Sequence, residues 1–159
     1  RPSITIDEIN GQPVTPPYRI KNGNTIRFKA TFRNGPIATT RVDGTFNVLT
    51  PPSPSNPNLT FSSQSGLNFT CSGDCRHTWI SDRSFSFVRN RRMEDGTSFS
   101  VYFDGVVTAQ SQQERERVRL ELTGRFMPDG GSSIPYNPFT LTFLISPRGS
   151  PPQIKEVAP

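Results

Sequence analysis

Residues Arg115 to Phe126 read RERVRLELTGRF and largely alternate between polar and apolar side chains. In steps of two, one side carries the apolar residues Val118, Leu120, Leu122 and Phe126. The other side carries the polar residues Arg115, Arg117, Arg119, Glu121, Thr123 and Arg125. A period of two indicates a β-strand with one buried and one exposed face, because a helix would distribute the arginines around its circumference.

The same period recurs elsewhere in the chain. It places Ile26, Phe28, Ala30 and Phe32 on one side of an earlier strand. Sixteen prolines and twelve glycines stand between such apolar runs, as turns do in all-β proteins. The pattern predicts an all-β fold: an antiparallel β-sandwich of about nine or ten strands, immunoglobulin-like or a related Greek key, without significant helix.

A chain of 159 residues suits one domain that can bury a core without help from metals. We expect a single sandwich domain over residues 1–146. Residues 147–159 contain several prolines and little to bury, which predicts a linker or a membrane stalk.

Local signals give further expectations about the strands. Gly44 is a candidate β-bulge, and Asp104-Gly105 either turns or bulges its strand. Residues 59–61 could pair with residues 67–71 across the intervening serine-rich segment, and residues 18–21 form an edge piece.

The segment Asp95-Gly96-Thr97-Ser98-Phe99-Ser100-Val101 resembles the immunoglobulin-superfamily corner, in which Asp, a small residue, Tyr and Cys recur at steps of two. Phe99 stands at the Tyr position and Val101 at the Cys position. The early strand lacks the family's cysteine, the only tryptophan is Trp79, and two strong strands follow Val101 where the family usually has one. The resemblance implies a cell-surface recognition or adhesion module that could bind a protein, including a copy of itself.

Two cysteines four positions apart predict a local disulfide, Cys71–Cys75. By the chain-entropy estimate it contributes about 2 kcal/mol, and it is expected to lock a loop tip without joining two sheets. Sequons at Asn58 and Asn68 predict glycosylation. Together these features indicate an extracellular protein, either secreted or a cell-surface ectodomain. No apolar run reaches the roughly 18 residues of a membrane span, so membrane contact would come only through the C-terminal stalk.

Signals for chemistry are sparse. The chain has one histidine, His77, and no glycine-rich phosphate loop. A zinc site from Cys71, Cys75 and His77 would lack a fourth ligand at a recognisable spacing. We therefore expect no catalytic residues, no metal and no cofactor.

Arginine is the conspicuous surface residue: the chain has fifteen Arg, three Lys and a net charge of +5. Guanidinium groups bind sulfate and carboxylate bidentately, which favours an acidic partner. The alternative is an ordinary basic surface whose arginines pair with nearby glutamates. The candidate binding residues are Arg89, Arg91, Arg92, Arg115, Arg117 and Arg119, with the aromatic residues Trp79, Tyr102 and Tyr136. Tyr102 is expected on an outer face, Tyr136 in an exposed loop, and Trp79 either in the core or at a contact.

Three functions remain open from the sequence. The first is a non-catalytic recognition or adhesion domain that binds a protein through a sheet face or its end loops. The second is a glycan-binding or glycosaminoglycan-binding adhesin module that uses the arginines. The third is a structural subunit of a surface assembly, formed as a homo-oligomer. Nucleic acid is not expected, because no lysine-rich arm or aromatic RNA-binding signature is present.

Overall fold

A computed structural model describes residues 2–14, 18–20, 25–49, 58–108 and 116–145. These residues form thirteen strand segments: β1 (Ser3–Ile9), β2 (Gln12–Pro13), β3 (Tyr18–Ile20), β4 (Thr25–Arg33), β5 (Thr39–Val48), β6 (Asn58–Thr60), β7 (Phe69–Cys71), β8 (Cys75–Ser81), β9 (Ser84–Arg89), β10 (Ser98–Thr108), β11 (Glu116–Pro128), β12 (Ile134–Pro135) and β13 (Phe139–Ile145). No helix occurs within these ranges, and so none that could cross a membrane. Arg115 and residues 147–159 lie outside the described residues.

The strands form two facing sheets. Sheet I has the order β2-β1-β4-β10-β6, with β7 also beside β10. Sheet II has the order β3-β13-β11-β5-β9-β8, with β12 also beside β11. Every pair is antiparallel except β3 with β13. The predicted all-β sandwich is therefore confirmed. The segment count exceeds nine or ten in part because β2 and β12, two residues each, are too short to show a period.

Most of the strand order matches that of an immunoglobulin-like sandwich. Its A, B, E and D strands form one sheet and its C, F and G strands the other. Here β1, β4 and β10, with β6 and β7 at the edge, occupy the first set, and β5, β11 and β13 occupy the second. The chain visits β6 and β7 before β8 and β9, so its path between β5 and β10 differs from that of the variable-type domain.

The motif that resembles the immunoglobulin corner lies one strand earlier than the F strand on which that family has it. Phe99 and Val101 lie on β10, which pairs with β4 and so takes the E position. The F position belongs to β11, between β5 and β13. The two strong strands that follow Val101 are therefore the F and G strands of the sandwich.

The two sheets bury the apolar sets that the period of two predicts. The inward residues Ile26, Phe28, Ala30 and Phe32 of β4 are all buried, as are Val118, Leu120, Leu122 and Phe126 of β11. Phenylalanine rings fill the space between the sheets. Phe46, for example, has its ring centroid 4.7 Å from that of Phe85 and 4.4 Å from that of Phe103. Such pairs add about 0.5–1.5 kcal/mol each beyond the area they bury.

The glycines expected to bulge instead make room for rings and methyl groups. Gly44 keeps the regular register of β5, and a Cβ there would overlap the ring of Phe87. Gly105 neither turns nor bulges β10, and its Cβ would lie 2.7 Å from the Leu59 Cδ1. Both expectations were wrong because a glycine in a strand can also signal the close approach of a neighbouring layer.

The expected pairing of residues 59–61 with residues 67–71 is also wrong. β6 pairs with Val106–Thr108 and β7 with Val101–Phe103, so both lie along one edge of β10. Leu59, Phe61 and Leu67 are all buried against the core. An exposed hairpin of the two segments could not bury these three side chains.

The Cys71–Cys75 disulfide is present, with a Cα–Cα distance of 6.3 Å. Cys71 ends β7 in sheet I, and Cys75 begins β8 in sheet II. The disulfide therefore closes the crossover between edge strands of the two sheets. The expectation that it would not join the sheets was wrong, because the chain changes sheet within the three intervening residues.

Candidate functional site

The arginine stripe of β11 faces solvent as predicted. Arg117, Arg119 and Arg125 are exposed on the outer face of sheet II. Arg125 Nε donates a hydrogen bond to Ser133 Oγ at 3.3 Å. Arg115 lies outside the described residues, so its membership of the stripe stays a prediction.

Arg89 does not belong to an exposed cluster. Its side chain is only 7% exposed and points between the sheets. Its guanidinium lies 4.3 Å from the centroid of the Phe99 ring, and its Nε donates to the Ser72 carbonyl at 2.7 Å. Burial, with the nearby charge of Arg91, lowers the pKa of Arg89. Arg89 therefore holds the disulfide loop onto the core and cannot bind a partner at the surface.

Arg91 and Arg92 are both exposed, but Arg92 already has acidic partners. Its Nη1 lies 2.7 Å from Asp129 and its Nε 2.9 Å from Glu94. These hydrogen bonds, the one to Asp129 first, raise the pKa of Arg92. Arg92 thus ties the segment after β9 to the end of β11, as the glutamate-pairing alternative anticipated.

The two arginine groups do not form one surface. Arg89 lies opposite Val42, which lies opposite Phe126. Arg119 is seven residues before Phe126 on β11, about 23 Å away at 3.3 Å per residue. The five described candidate arginines therefore do not form one site, because Arg89, Arg91 and Arg92 lie at one end of sheet II and Arg117 and Arg119 lie towards the other.

What sheet II presents instead is a row of short polar side chains. Thr78, Ser86, Thr45 and Thr123 lie side by side across β8, β9, β5 and β11. A shallow trench of about 330 Å³ runs between β5 and β11 at this row. We call it the polar trench, and its outward lining is Asp43, Thr45, Thr123, Arg125, Pro135 and Pro138. Sequence reasoning missed it because it depends on the register of β5 with β11.

The outer faces of the two sheets differ in charge. Among the side chains that the structure describes, the outer face of sheet II has five arginines and two carboxylates: Arg41, Arg76, Arg117, Arg119 and Arg125 with Asp43 and Glu121. On that face Arg41 Nε lies 2.9 Å from Asp43 Oδ1.

On the outer face of sheet I, oppositely charged side chains form ion pairs. Lys29 lies 3.2 Å from Glu8, and Arg27 lies 2.9 Å from Asp104. The hydrogen bond to Glu8 raises the pKa of Lys29. The described outer face of sheet II is therefore basic, and that of sheet I is close to neutral.

The aromatic candidates occupy three different environments. Tyr102 lies on the outer face of sheet I, 36% exposed, with Arg27 5.5 Å from its ring centroid. Trp79 is half-buried against the core, and its Nε1 donates to the Phe61 carbonyl at 3.4 Å.

Tyr136 is only 2% exposed, so the expectation of an exposed aromatic was wrong. Its backbone N–H donates to the Gly124 carbonyl at 2.7 Å, and its ring packs edge-on against Phe32 and Phe126. No hydrogen-bond partner of its hydroxyl lies in the described part of the chain. Burial raises the pKa of this phenol.

The glycosylation sites remain predictions. Asn68 is exposed, its Nδ2 donates to Asp104 Oδ2 at 3.0 Å, and Thr70 of the same sequon accepts from Arg27 at 3.2 Å. Asn58 begins β6, and its side chain lies outside what the structure describes.

The three residues considered for a zinc site, Cys71, Cys75 and His77, have other partners. Cys71 and Cys75 are bonded to each other, and the His77 ring packs against Phe69 at a tilt of 38°, with a centroid distance of 5.0 Å. Within the described ranges, no three His, Cys, Asp or Glu side chains are grouped so as to hold a metal ion.

No protein-family model matches the chain, and a search of curated proteins finds no match. Solved structures share its fold. The major pilin subunit BcpA of Bacillus cereus (D312A form) is 9% identical with a TM-score of 0.60, over 92% of this chain and 40% of the pilin. AvmM, which catalyses macrocyclization in alchivemycin A biosynthesis, is 12% identical with a TM-score of 0.52, over 96% of this chain and 93% of AvmM.

The collagen-binding subdomain ACE19 of the Enterococcus faecalis surface protein ACE is 11% identical with a TM-score of 0.50, over 85% of this chain and 99% of the subdomain. At these identities the likeness shows the fold alone. The sandwich supports binding modules, a pilin and an enzyme alike, so function must be argued from this chain's own surfaces.

Proposed function

We propose that this chain is a non-catalytic recognition domain that acts outside the cell and binds a protein partner through the outer face of sheet II. The observation that supports this proposal is the polar trench over β5 and β11. The trench lies in a face that has an excess of arginine and a row of short threonine and serine side chains. Short threonine and serine side chains leave the backbone of a sheet face accessible to a large partner. Arginines at both ends can pair with acidic groups on that partner.

The environment of the disulfide supports an extracellular location. Cys71 and Cys75 are bonded, and Gly73 between them adopts a positive φ of 102° that allows the crossover. Such structural disulfides persist in oxidising compartments. The exposed Asn68 of the second sequon fits the same location.

Collagen is the first partner to test. A collagen-binding subdomain shares this fold over 85% of the chain. An extended ligand also suits a trench about 330 Å³ in volume and open along a sheet face.

The test is surface plasmon resonance over immobilised collagen and an array of extracellular matrix proteins. The informative variant is Thr123→Trp, which fills the trench without changing charge, and exposed strand positions tolerate aromatic residues. We expect at least a tenfold loss of affinity, about 1.4 kcal/mol. The matched control is Thr5→Trp, an exposed threonine on the outer face of sheet I, which should bind as the wild type does.

Two results would contradict the proposal. One is the absence of binding to every protein on the array. The other is equal binding by Thr123→Trp and the wild type, which would place the partner elsewhere on the molecule.

A sulfated glycan is the second candidate, supported by the excess of arginine on the outer face of sheet II. Its binding would depend on charge, so retention on a heparin column should fall steeply between low and moderate salt. The double variant Arg117→Ser/Arg125→Ser should elute earlier, whereas Arg33→Ser on sheet I should not. Binding of a protein partner in the trench should instead persist at moderate salt.

A further inference from the structure

A second concave surface lies on the opposite sheet. A hollow of about 500 Å³ opens at the edge of sheet I, where β7 runs beside β10. It is lined by Thr70, Cys71, Ser72, Ser98, Phe99, Ser100 and Tyr102. Its volume is that of an ordinary small-ligand pocket.

The hollow arises because β7 is shorter than β10. β7 ends at Cys71, opposite Val101, where the chain leaves for sheet II. The Thr97 carbonyl accepts from the Asn34 N–H on the β4 side, and backbone groups alternate sides along a strand. The backbone of Ser98 therefore faces the β7 side, beyond the last β7 residue.

The lining is dominated by hydroxyl groups. Ser98, Ser100 and Thr70 share the outer side of the sheet with Tyr102. Each hydroxyl offers one donor and two acceptor positions. The Thr70 hydroxyl oxygen accepts a hydrogen bond from Arg27 at 3.2 Å, so its own proton can be donated outward.

Tyr102 gives the hollow an aromatic wall. It is one of the few large apolar side chains exposed within the described ranges. Arg27 lies over its ring and is itself held by Asp104, which limits the movement of the ring. A ring fixed in this way offers a flat apolar surface at little cost in conformational entropy.

No charged residue lines the hollow. Of the charged residues on the neighbouring β4, Arg27 pairs with Asp104 and Lys29, opposite Tyr102, pairs with Glu8, while Arg33 lies opposite Ser98 at the rim. The lining thus suits an uncharged ligand that has many hydroxyl groups and one apolar face. The disulfide fixes Cys71 and Ser72 on one side, and Arg89 holds the Ser72 carbonyl, so the hollow is preformed.

We propose that this hollow binds a neutral sugar, with one face of a pyranose ring on Tyr102 and its hydroxyl groups on Ser98, Ser100 and Thr70. The site is separate from the polar trench, so it adds a saccharide-binding activity to a protein-binding domain.

Saturation-transfer NMR tests the proposal directly, with methyl glycosides of glucose, galactose, mannose and N-acetylglucosamine as probes and glucuronic acid as the charged comparison. The wild type should transfer saturation to at least one neutral glycoside and more weakly to glucuronic acid. Tyr102→Ala should weaken binding at least fivefold, whereas Tyr102→Phe keeps the ring and should bind as the wild type does. Since Tyr102 is exposed, both variants should fold, which an unchanged thermal midpoint would verify.

Two further variants separate the contributions. Ser98→Ala/Ser100→Ala should weaken sugar binding while leaving the ring in place. Thr123→Trp, which fills the trench on sheet II, should leave sugar binding unchanged, so failure of one site is distinguishable from failure of the other. The proposal is overturned if no neutral glycoside shows transfer, or if Tyr102→Ala binds as the wild type does.

Discussion

At the scale of single residues, burial separates side chains that look alike in the sequence. Arg89 and Arg91 are two positions apart, yet the first lies against Phe99 inside the sandwich and the second is exposed. Tyr102 and Tyr136 divide in the same way, one on a sheet face and one in the core. The buried member of each pair carries a polar atom without a partner in the described residues, Arg89 Nη1 and the Tyr136 hydroxyl.

Tyr136→Phe should stabilise the protein, by about 1 kcal/mol at neutral pH, because it removes a buried hydroxyl that has no partner within the described ranges. The substitution should also change how the free energy of unfolding depends on pH under alkaline conditions. The pKa of Tyr136 is raised above its ordinary value of 10.0 by burial, so the unfolded chain loses this proton first as the pH rises. The wild type should therefore lose stability from about pH 10 upward, by at most about 1.4 kcal/mol per pH unit.

Urea unfolding at pH 7, 9 and 10.5 measures both effects. The variant should have the flatter profile above pH 10, and Tyr102→Phe, at an exposed position, should keep the slope of the wild type. A variant less stable than the wild type at neutral pH would show that the hydroxyl has a partner and would refute the prediction.

At the scale of elements, sheet edges decide which surfaces can associate. β8 is the edge strand of sheet II, and one side chain covers part of it. Gln64 Nε2 donates to the His77 carbonyl at 3.1 Å, and Gln64 Oε1 accepts from the Trp79 N–H. The carboxamide thus replaces a peptide group of a neighbouring strand, which protects an edge that could otherwise pair with another chain.

Gln64→Ala should expose these two backbone groups and promote association through β8. Sedimentation velocity at increasing protein concentration should show dimers or larger species for the variant under conditions where the wild type sediments as a single species. The free energy of unfolding should change by only about 1 kcal/mol, the usual net contribution of one or two exposed hydrogen bonds. Ser65→Ala, one residue further along the same exposed loop, is the control and should behave as the wild type; identical sedimentation of all three proteins would contradict the role given to Gln64.

At the scale of the whole molecule, the sandwich separates two chemically different outer faces. Sheet II presents a basic face with a polar trench, and sheet I presents paired charges with a hydroxyl-lined hollow. The core between them is continuous, and the disulfide joins the sheets along one side. Residues 1–146 should therefore unfold as one cooperative unit, with residues 147–159 outside it.

A chain shortened to end at Ser146 should keep the urea midpoint of the full chain, within about 0.5 kcal/mol in unfolding free energy. The removed residues carry four of the chain's sixteen prolines and few apolar side chains that could add to the core. A chain shortened further, to end at Pro138, loses β13 with its buried Leu141, Phe143 and Ile145 and should not fold. A loss of more than about 1 kcal/mol on the first truncation would show that the tail packs on the domain.

The period of two by itself determined the all-β class and the buried sets of β4 and β11, because side chains alternate along any strand regardless of its neighbours. Cysteine spacing likewise determined the disulfide, since four residues leave the two sulfurs within reach. The exposure of Arg117, Arg119 and Tyr102 followed from the same alternation.

Only the tertiary structure decided which residues meet. The pairing of Thr45 with Thr123 makes the trench, the distance between Arg89 and Arg119 divides the predicted arginine site, and the short β7 beside β10 leaves the hollow. Each depends on strand order and register, which join residues far apart in the chain. Local alternation cannot specify them, because the same alternating strand fits many neighbours and the choice among them is made by packing between the sheets.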